Sequence, residues 1–139
     1  MLFETVDKKL KDIVFVYTTC SSIEEARSLG LSSINEKLAI SADYWFVDSI
    51  YPWNGVVREG GQYMLMLATK KELSDELIKH IETMHSYNIP MIARCDVPIT
   101  NHLYNSWVED TLTNKDEYIS EDEEKIKEHN EEYRDSRLK

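Results

Sequence analysis

The sequence predicts an α+β domain of the ferredoxin-like type, βαββαβ, followed by a C-terminal helix. Three observations lead there. Hydrophobic periodicity switches between two and 3.6 along the chain in the order strand, helix, strand, strand, helix, strand. Asn54-Gly55 stands between two apolar runs, and both residues tolerate the positive φ of a tight hairpin turn. The strand segments FVYTT, YWFV and YMLMLA carry apolar residues in both alternation phases, which implies a sheet buried on both faces. Two helices cover one face, so the other face calls for oligomerisation.

Residues 1–11 are mixed in character and read as a lead-in. Residues 12–19, DIVFVYTT, are β-branched and aromatic and predict the first strand. Ser21 with Glu24, or Ser22 with Glu25, has capping-box spacing and opens a helix to about Leu38. Ile23, Ala26, Arg27, Gly30, Ile34 and Leu38 lie on or beside one face of it. A close helix-to-sheet approach explains a glycine at position 30. Residues 39–53 predict a long strand, and 56–69 its return, with Gly60-Gly61 marking a bulge or break. The second helix ends near Met84-His85, with Leu73, Leu77, Ile81 and Met84 at helical spacing. Residues 91–98 form the fourth strand, closed by Pro98. Residues 101–112 make a short helix with Leu103, Trp107 and Tyr104 towards the body. Residues 113–139 hold ten acidic and six basic side chains and few apolar ones. Ser120 with Glu123 caps a solvated helix there, with disorder as the competing expectation.

Composition narrows the function. The 139 residues carry 26 acidic and 16 basic side chains, a formal net charge of -10. That balance excludes nonspecific binding to nucleic acid or anionic lipid, which needs basic patches. Cys20 and Cys95 form no C-x-x-C pair, and no signal peptide or membrane-spanning run is evident, so the expected location is the cytosol. No G-x-S-x-G, P-loop, G-x-G-x-x-G or H-E-x-x-H motif occurs, and no enzymatic activity is expected. Asp43, Asp48 and Asp96 are strand acids, of which Asp48 is the one to inspect at a subunit boundary.

Six short motifs then arrive in a familiar order. They are V-Y-T-T at 16–19, E-E-A at 24–26, E-K-L-A at 36–39, S-I-Y-P-W-N-G at 49–55, H-S-Y-N-I-P at 85–90 and Y-N-S-W-V at 104–108. Together they resemble the CutA divalent-cation tolerance family over about residues 12–112. The resemblance implies a tight homotrimer in which the long hairpin reaches into neighbouring subunits. Tyr51, Trp53, Tyr87 and Trp107 would then line a subunit interface or a cleft between subunits. It also implies an association with copper or another divalent cation, with His85 at the position of the family's metal-binding histidine. Thr18 stands where some members carry a cysteine. The chain departs from the family pattern at A-I-S-A-D, 39–43, and at Met91, where a glutamate is usual.

Cys20, Met84 and His85 offer thiolate, thioether and imidazole, the ligand types that suit Cu(I). Each also has a plain structural explanation. A histidine at a helix C-terminus bonds the last carbonyls and suits the dipole. Met84 continues an apolar stripe, and Cys20 is a small residue at a turn. His80, His102 and His129 lack the partner spacing of a zinc site. Two other readings remain open. One is a small-molecule-binding signalling trimer like the PII proteins, by analogy of fold, with Gly60-Gly61 beside Arg58 as an anion nest. The other is an interaction platform without metal, whose acidic residues 113–139 recruit a basic protein partner.

Overall fold

The computed structural model describes residues 12–97 and 101–138. The lead-in 1–11 and the strand-ending Pro98 lie outside them. The elements are β1 (Ile13–Cys20), α1 (Ile23–Asn35), β2 (Ser41–Trp53), β3 (Val56–Lys70), a 3-10 turn (Lys71–Leu73), α2 (Ser74–Met84), β4 (Ile92–Asp96), α3 (His102–Thr113) and α4 (Glu121–Leu138). The sheet has the order β2-β3-β1-β4. Every neighbouring pair is antiparallel. That order, with α1 and α2 on one face, is the split βαβ arrangement.

β1 lies at the centre and alternates faces along its length. Val16 and Cys20 point to α1 and α2 and join Ala26, Leu29, Leu65, Leu67, Leu77 and Ile81 in the main core. Ile13 belongs to the opposite face, where a second cluster with Ile40, Ala68, Val108 and Leu112 seats α3 against one end of the sheet. Fully burying a leucine or isoleucine side chain contributes about 1.5–3 kcal/mol, so these two clusters account for most of the domain's cohesion. Lys70, with its side chain 8% exposed, adds ion pairs to Glu72 at 3.2 Å and Glu109 at 3.5 Å, the latter joining β3 to α3.

Local sequence explains where α1 begins and ends. Ser22 is the N-cap, accepting the Glu25 N–H at 3.1 Å, as one of the two capping boxes requires. The helix stops at Asn35, not near Leu38. Lys37 takes a left-handed φ of 60°. The Leu38 N–H then bonds the Ser33 carbonyl at 2.9 Å and the Lys37 N–H bonds that of Ile34 at 3.0 Å. This is a Schellman closure with lysine at the usual glycine position. Ile23 is exposed, while Leu29 and Ser33 are buried with Ala26 and Gly30.

The long hairpin departs from expectation at its glycines. Asn54 and Gly55 have φ of 51° and 74°, the type I′ geometry of a two-residue loop. The ladder runs unbroken from Ser41 opposite Ala68 to Trp53 opposite Val56, so Gly60-Gly61 makes no bulge. Gly61 instead leaves room for an aromatic ring: a Cβ there would meet Phe46 Cε2 at 2.5 Å. An uninterrupted strand also removes the anion nest expected beside Arg58. β1 pairs with β3 only from Tyr63 onward, so the tip of the hairpin is a two-stranded ribbon beyond the body of the sheet. Ile50, Trp53, Val56 and Val57 on it are exposed.

α3 turns a different face inward than its sequence suggests. Asn105, Val108 and Leu112 are buried, whereas Leu103 and Trp107 are exposed. The four-residue spacing of Tyr104, Val108 and Leu112 matches the second cluster better than the 103/107 pair does. Beyond it, Ser120 caps α4 by accepting the Glu123 N–H at 3.1 Å. The linking segment touches the domain where Lys37 Nζ sits 3.3 Å above the Tyr118 ring.

Gly30 tests the close approach of α1 to the sheet, since a Cβ there would lie 2.9 Å from the Ala42 Cβ on β2. Gly30→Ala is expected to lose stability by about 1–3 kcal/mol, because overpacking outweighs the helix-propensity gain. A lower urea midpoint at unchanged m-value is the expected signature.

Candidate metal centre

Three element ends meet at one end of the sheet, where β1 finishes. β1 stops at Cys20, α1 starts at Ser22 with Glu25 in its first turn, and α2 stops at Met84 with His85 as its C-cap. One ligand atom each from Cys20, Glu25 and His85 lies within 4.8 Å of the others. Cys20 is fully buried, while Glu25 and His85 are half-buried.

Hydrogen bonds hold the three in place. The His85 Nδ1 accepts the Tyr87 backbone N–H at 3.1 Å. That leaves the ring proton on Nε2, which donates to the Thr19 carbonyl at 2.9 Å and lies 3.1 Å from the Thr18 hydroxyl. The Tyr87 ring packs beside the imidazole, with centroids 4.9 Å apart, and its hydroxyl donates to Gln62 Oε1 at 2.9 Å. Glu25 is a clamp. Its Oε1 accepts from the Ser21 N–H at 2.9 Å and the Ser21 hydroxyl at 3.1 Å, and its Oε2 accepts from the Ser86 N–H at 2.9 Å. The start of α1 is thereby tied to the end of α2.

The charges follow from these surroundings. Burial, and then the Glu25 carboxylate, push the Cys20 thiol up to about 12, so it is a neutral thiol in the ion-free protein. Burial alone would raise the Glu25 carboxyl, but hydrogen bonds from Ser86 and Ser21 outweigh it and hold the group below the usual glutamate value. Tyr87 is raised by burial first and by the Glu25 charge next. The donor set of thiol, imidazole and carboxylate suits a borderline or soft cation such as copper or zinc.

Of the residues named from sequence, Cys20 and His85 come together here. Met84 turns elsewhere: its Sδ accepts from the Ser32 hydroxyl at 3.3 Å, because the last turn of α2 puts it over α1. Glu25 takes the third place. From sequence Glu25 stood only at capping-box spacing from Ser22, and that position was the one local sign of a fixed carboxylate. Thr18, singled out by position, contacts the histidine itself. Tyr87 adjoins this centre, while Tyr51 and Trp53 lie on the hairpin ribbon, 42% and 50% exposed, and Trp107 on the outer side of α3. Asp48 is exposed. Among the described residues no helix is long and apolar enough to cross a membrane.

Comparisons with known proteins agree with this architecture. Residues 14–111 match the family model of the CutA1 divalent ion tolerance protein. The divalent-cation tolerance protein CutA of Thermococcus kodakarensis is 31% identical over 97 residues, covering 70% of this chain and 93% of that protein. The crystal structure of CutA1 from Pyrococcus horikoshii superposes with a TM-score of 0.69 at 28% identity, over 73% of this chain and 99% of that one. CutA1 from Ehrlichia chaffeensis shares the fold, with a TM-score of 0.72 at 24% identity, covering 76% of this chain and all of that one.

Glu25 makes the centre sensitive to acid. Its depressed carboxyl stabilises the fold above the unfolded value of about 4.3. That contribution is lost as pH falls through the lower folded value. Glu25→Gln is expected to be less stable than wild type at neutral pH and to show a shallower acid loss, read as urea midpoints across pH 2.5–7.

The chain belongs to the CutA1 divalent ion tolerance protein family.

Proposed function

We propose that this CutA1-family chain is a non-catalytic, trimeric cytosolic protein that binds copper or another divalent cation through Cys20, Glu25 and His85. The observation that carries the reading is the convergence of three different donor types within 4.8 Å, at the meeting of β1, α1 and α2. A bound ion would supply the positive charge that favours a thiolate and a carboxylate side by side. The protein's part is to prearrange the donors and manage their protons. Cys20 must give up its thiol proton, and His85 must release one of the two bonds that occupy its ring nitrogens. Glu25 is already ionised and positioned by Ser21 and Ser86.

Assembly as a trimer is supported by surface that a lone protomer leaves wet. A two-stranded ribbon is marginal by itself. This one carries Tyr51, Trp53, Val56 and Val57 in exposed positions, and α3 adds Leu103 and Trp107. Two unpaired cysteines, Cys20 and Cys95, suit a reducing cytosol. A second reading has its own observation: both His85 nitrogens are already bonded within the protein. On that reading the centre is a structural clasp and the protein a metal-free platform.

Native mass spectrometry under reducing conditions, with Cu(I), Cu(II) or Zn(II) added, separates the two. A trimer is expected to take up one Zn(II) per protomer, lost in His85→Ala and Cys20→Ser, and with Cu(I) each variant is expected to bind one ion fewer per protomer than wild type. A trimer that takes up no ion supports the clasp. Because the thiol stays protonated until about 12, ion binding releases its proton, and affinity is expected to rise by about tenfold per pH unit across pH 6–8. Competition with a chromophoric chelator measures that slope. Trp53→Ala is expected to weaken trimer assembly by about tenfold or more in concentration, followed by sedimentation equilibrium.

A further inference from the structure

Met84 is out of place for a core methionine. Leu77 and Ile81, which precede it on α2 at helical spacing, are completely buried, yet Met84 is 43% exposed. Its sulfur is directed to a polar group on α1, the Ser32 hydroxyl, at 3.3 Å. The same hydroxyl lies 2.8 Å from Nε2 of His80. His80 and Met84 are four residues apart on α2 and share one side of the helix. An imidazole nitrogen and a thioether sulfur therefore converge on a single small hydroxyl at the open seam between α1 and α2. This group is distinct from the Cys20, Glu25 and His85 set.

We propose that His80 Nε2 and Met84 Sδ form a second, surface site for Cu(I). Both donors are neutral and one is a thioether, so hard cations such as Mg²⁺ or Mn²⁺ gain little there, and Zn²⁺ lacks the anionic or additional nitrogen ligands it prefers. Cu(I) tolerates a low coordination number and takes thioether and imidazole readily. Binding requires the ring proton to reside on Nδ1, leaving the Nε2 lone pair for the ion, and it requires Ser32 to release both contacts. No electron is transferred when the ion arrives as Cu(I); the Nε2 proton, which now faces the Ser32 oxygen, leaves to solvent as the ring takes one up at Nδ1, so the ring stays neutral. Met84 is unbranched, with three rotatable bonds, so its sulfur can close on an ion held by the helix-borne imidazole. The site does not depend on the reading of the Cys20 centre.

The competing explanation is that Ser32 merely pins the two helices together. Full-length protein labelled with carbon-13 at the methionine methyls, titrated with Cu(I) under anaerobic conditions, distinguishes them. A shift of the Met84 methyl signal that saturates with Cu(I), and is absent with Zn(II), is the expected result. In a Cys20→Ser background, one Cu(I) per protomer should remain bound against a chromophoric Cu(I) chelator. Adding Met84→Leu or His80→Gln should weaken that uptake by about tenfold or more, on the scale of losing a ligand. An unmoved Met84 methyl signal at saturating Cu(I) would overturn the proposal, whether or not the variants fold. So would equal Cu(I) uptake by the Cys20→Ser protein with and without Met84→Leu.

Discussion

Everything at the centre depends on β1 being the inner strand of the sheet. It pairs with β3 on one side and β4 on the other, and its alternate residues enter the core beneath α1 and α2. Two-sided pairing fixes its register, because a slip by one residue would exchange Val16 and Cys20 for Phe15 and Thr19. The crossover that follows must start where β1 ends, and the second helix must finish near that same end of the sheet before β4 begins. The split βαβ connectivity therefore delivers Cys20, the N-terminus of α1 and the C-terminus of α2 to one place.

At that place two demands on the same side chains compete. As hydrogen-bonded groups, Glu25 and His85 satisfy backbone N–H and carbonyl groups left over at the strand and helix ends. As metal donors they would have to surrender some of those bonds. The Cys20 thiol, raised to about 12, adds a proton that must leave. Such a centre favours a cation that repays these losses strongly and rejects one held only by charge.

The outer surface divides into two kinds. The hairpin ribbon and the outer side of α3 expose aromatic and aliphatic side chains, the composition of surface that is covered in an assembly. α4 is the reverse: its residues through Glu132 are exposed and mostly charged. The two surfaces favour different contacts, since apolar burial drives the first and electrostatic attraction the second. Tyr118 on Lys37 anchors the start of the charged segment to the end of α1.

The sequence by itself determined the element order, the Asn54-Gly55 turn, the Ser22 and Ser120 caps and the close approach at Gly30. These depend on local backbone preference or on periodicity, which neighbouring residues settle among themselves. It also marked Cys20 and His85, since each stands at the end of a legible element. Tertiary structure decided the rest. Gly61 is explained by the Phe46 ring across the ladder, not by a bulge, and the burial of α3 by which of two apolar stripes meets Ile13 and Ala68. Glu25 entered the candidate centre beside His85, and Met84 left it for Ser32, which also meets His80, through pairings of residues more than 45 positions apart. Side-chain direction across such separations is set by how helices pack on the sheet, and no local pattern encodes it.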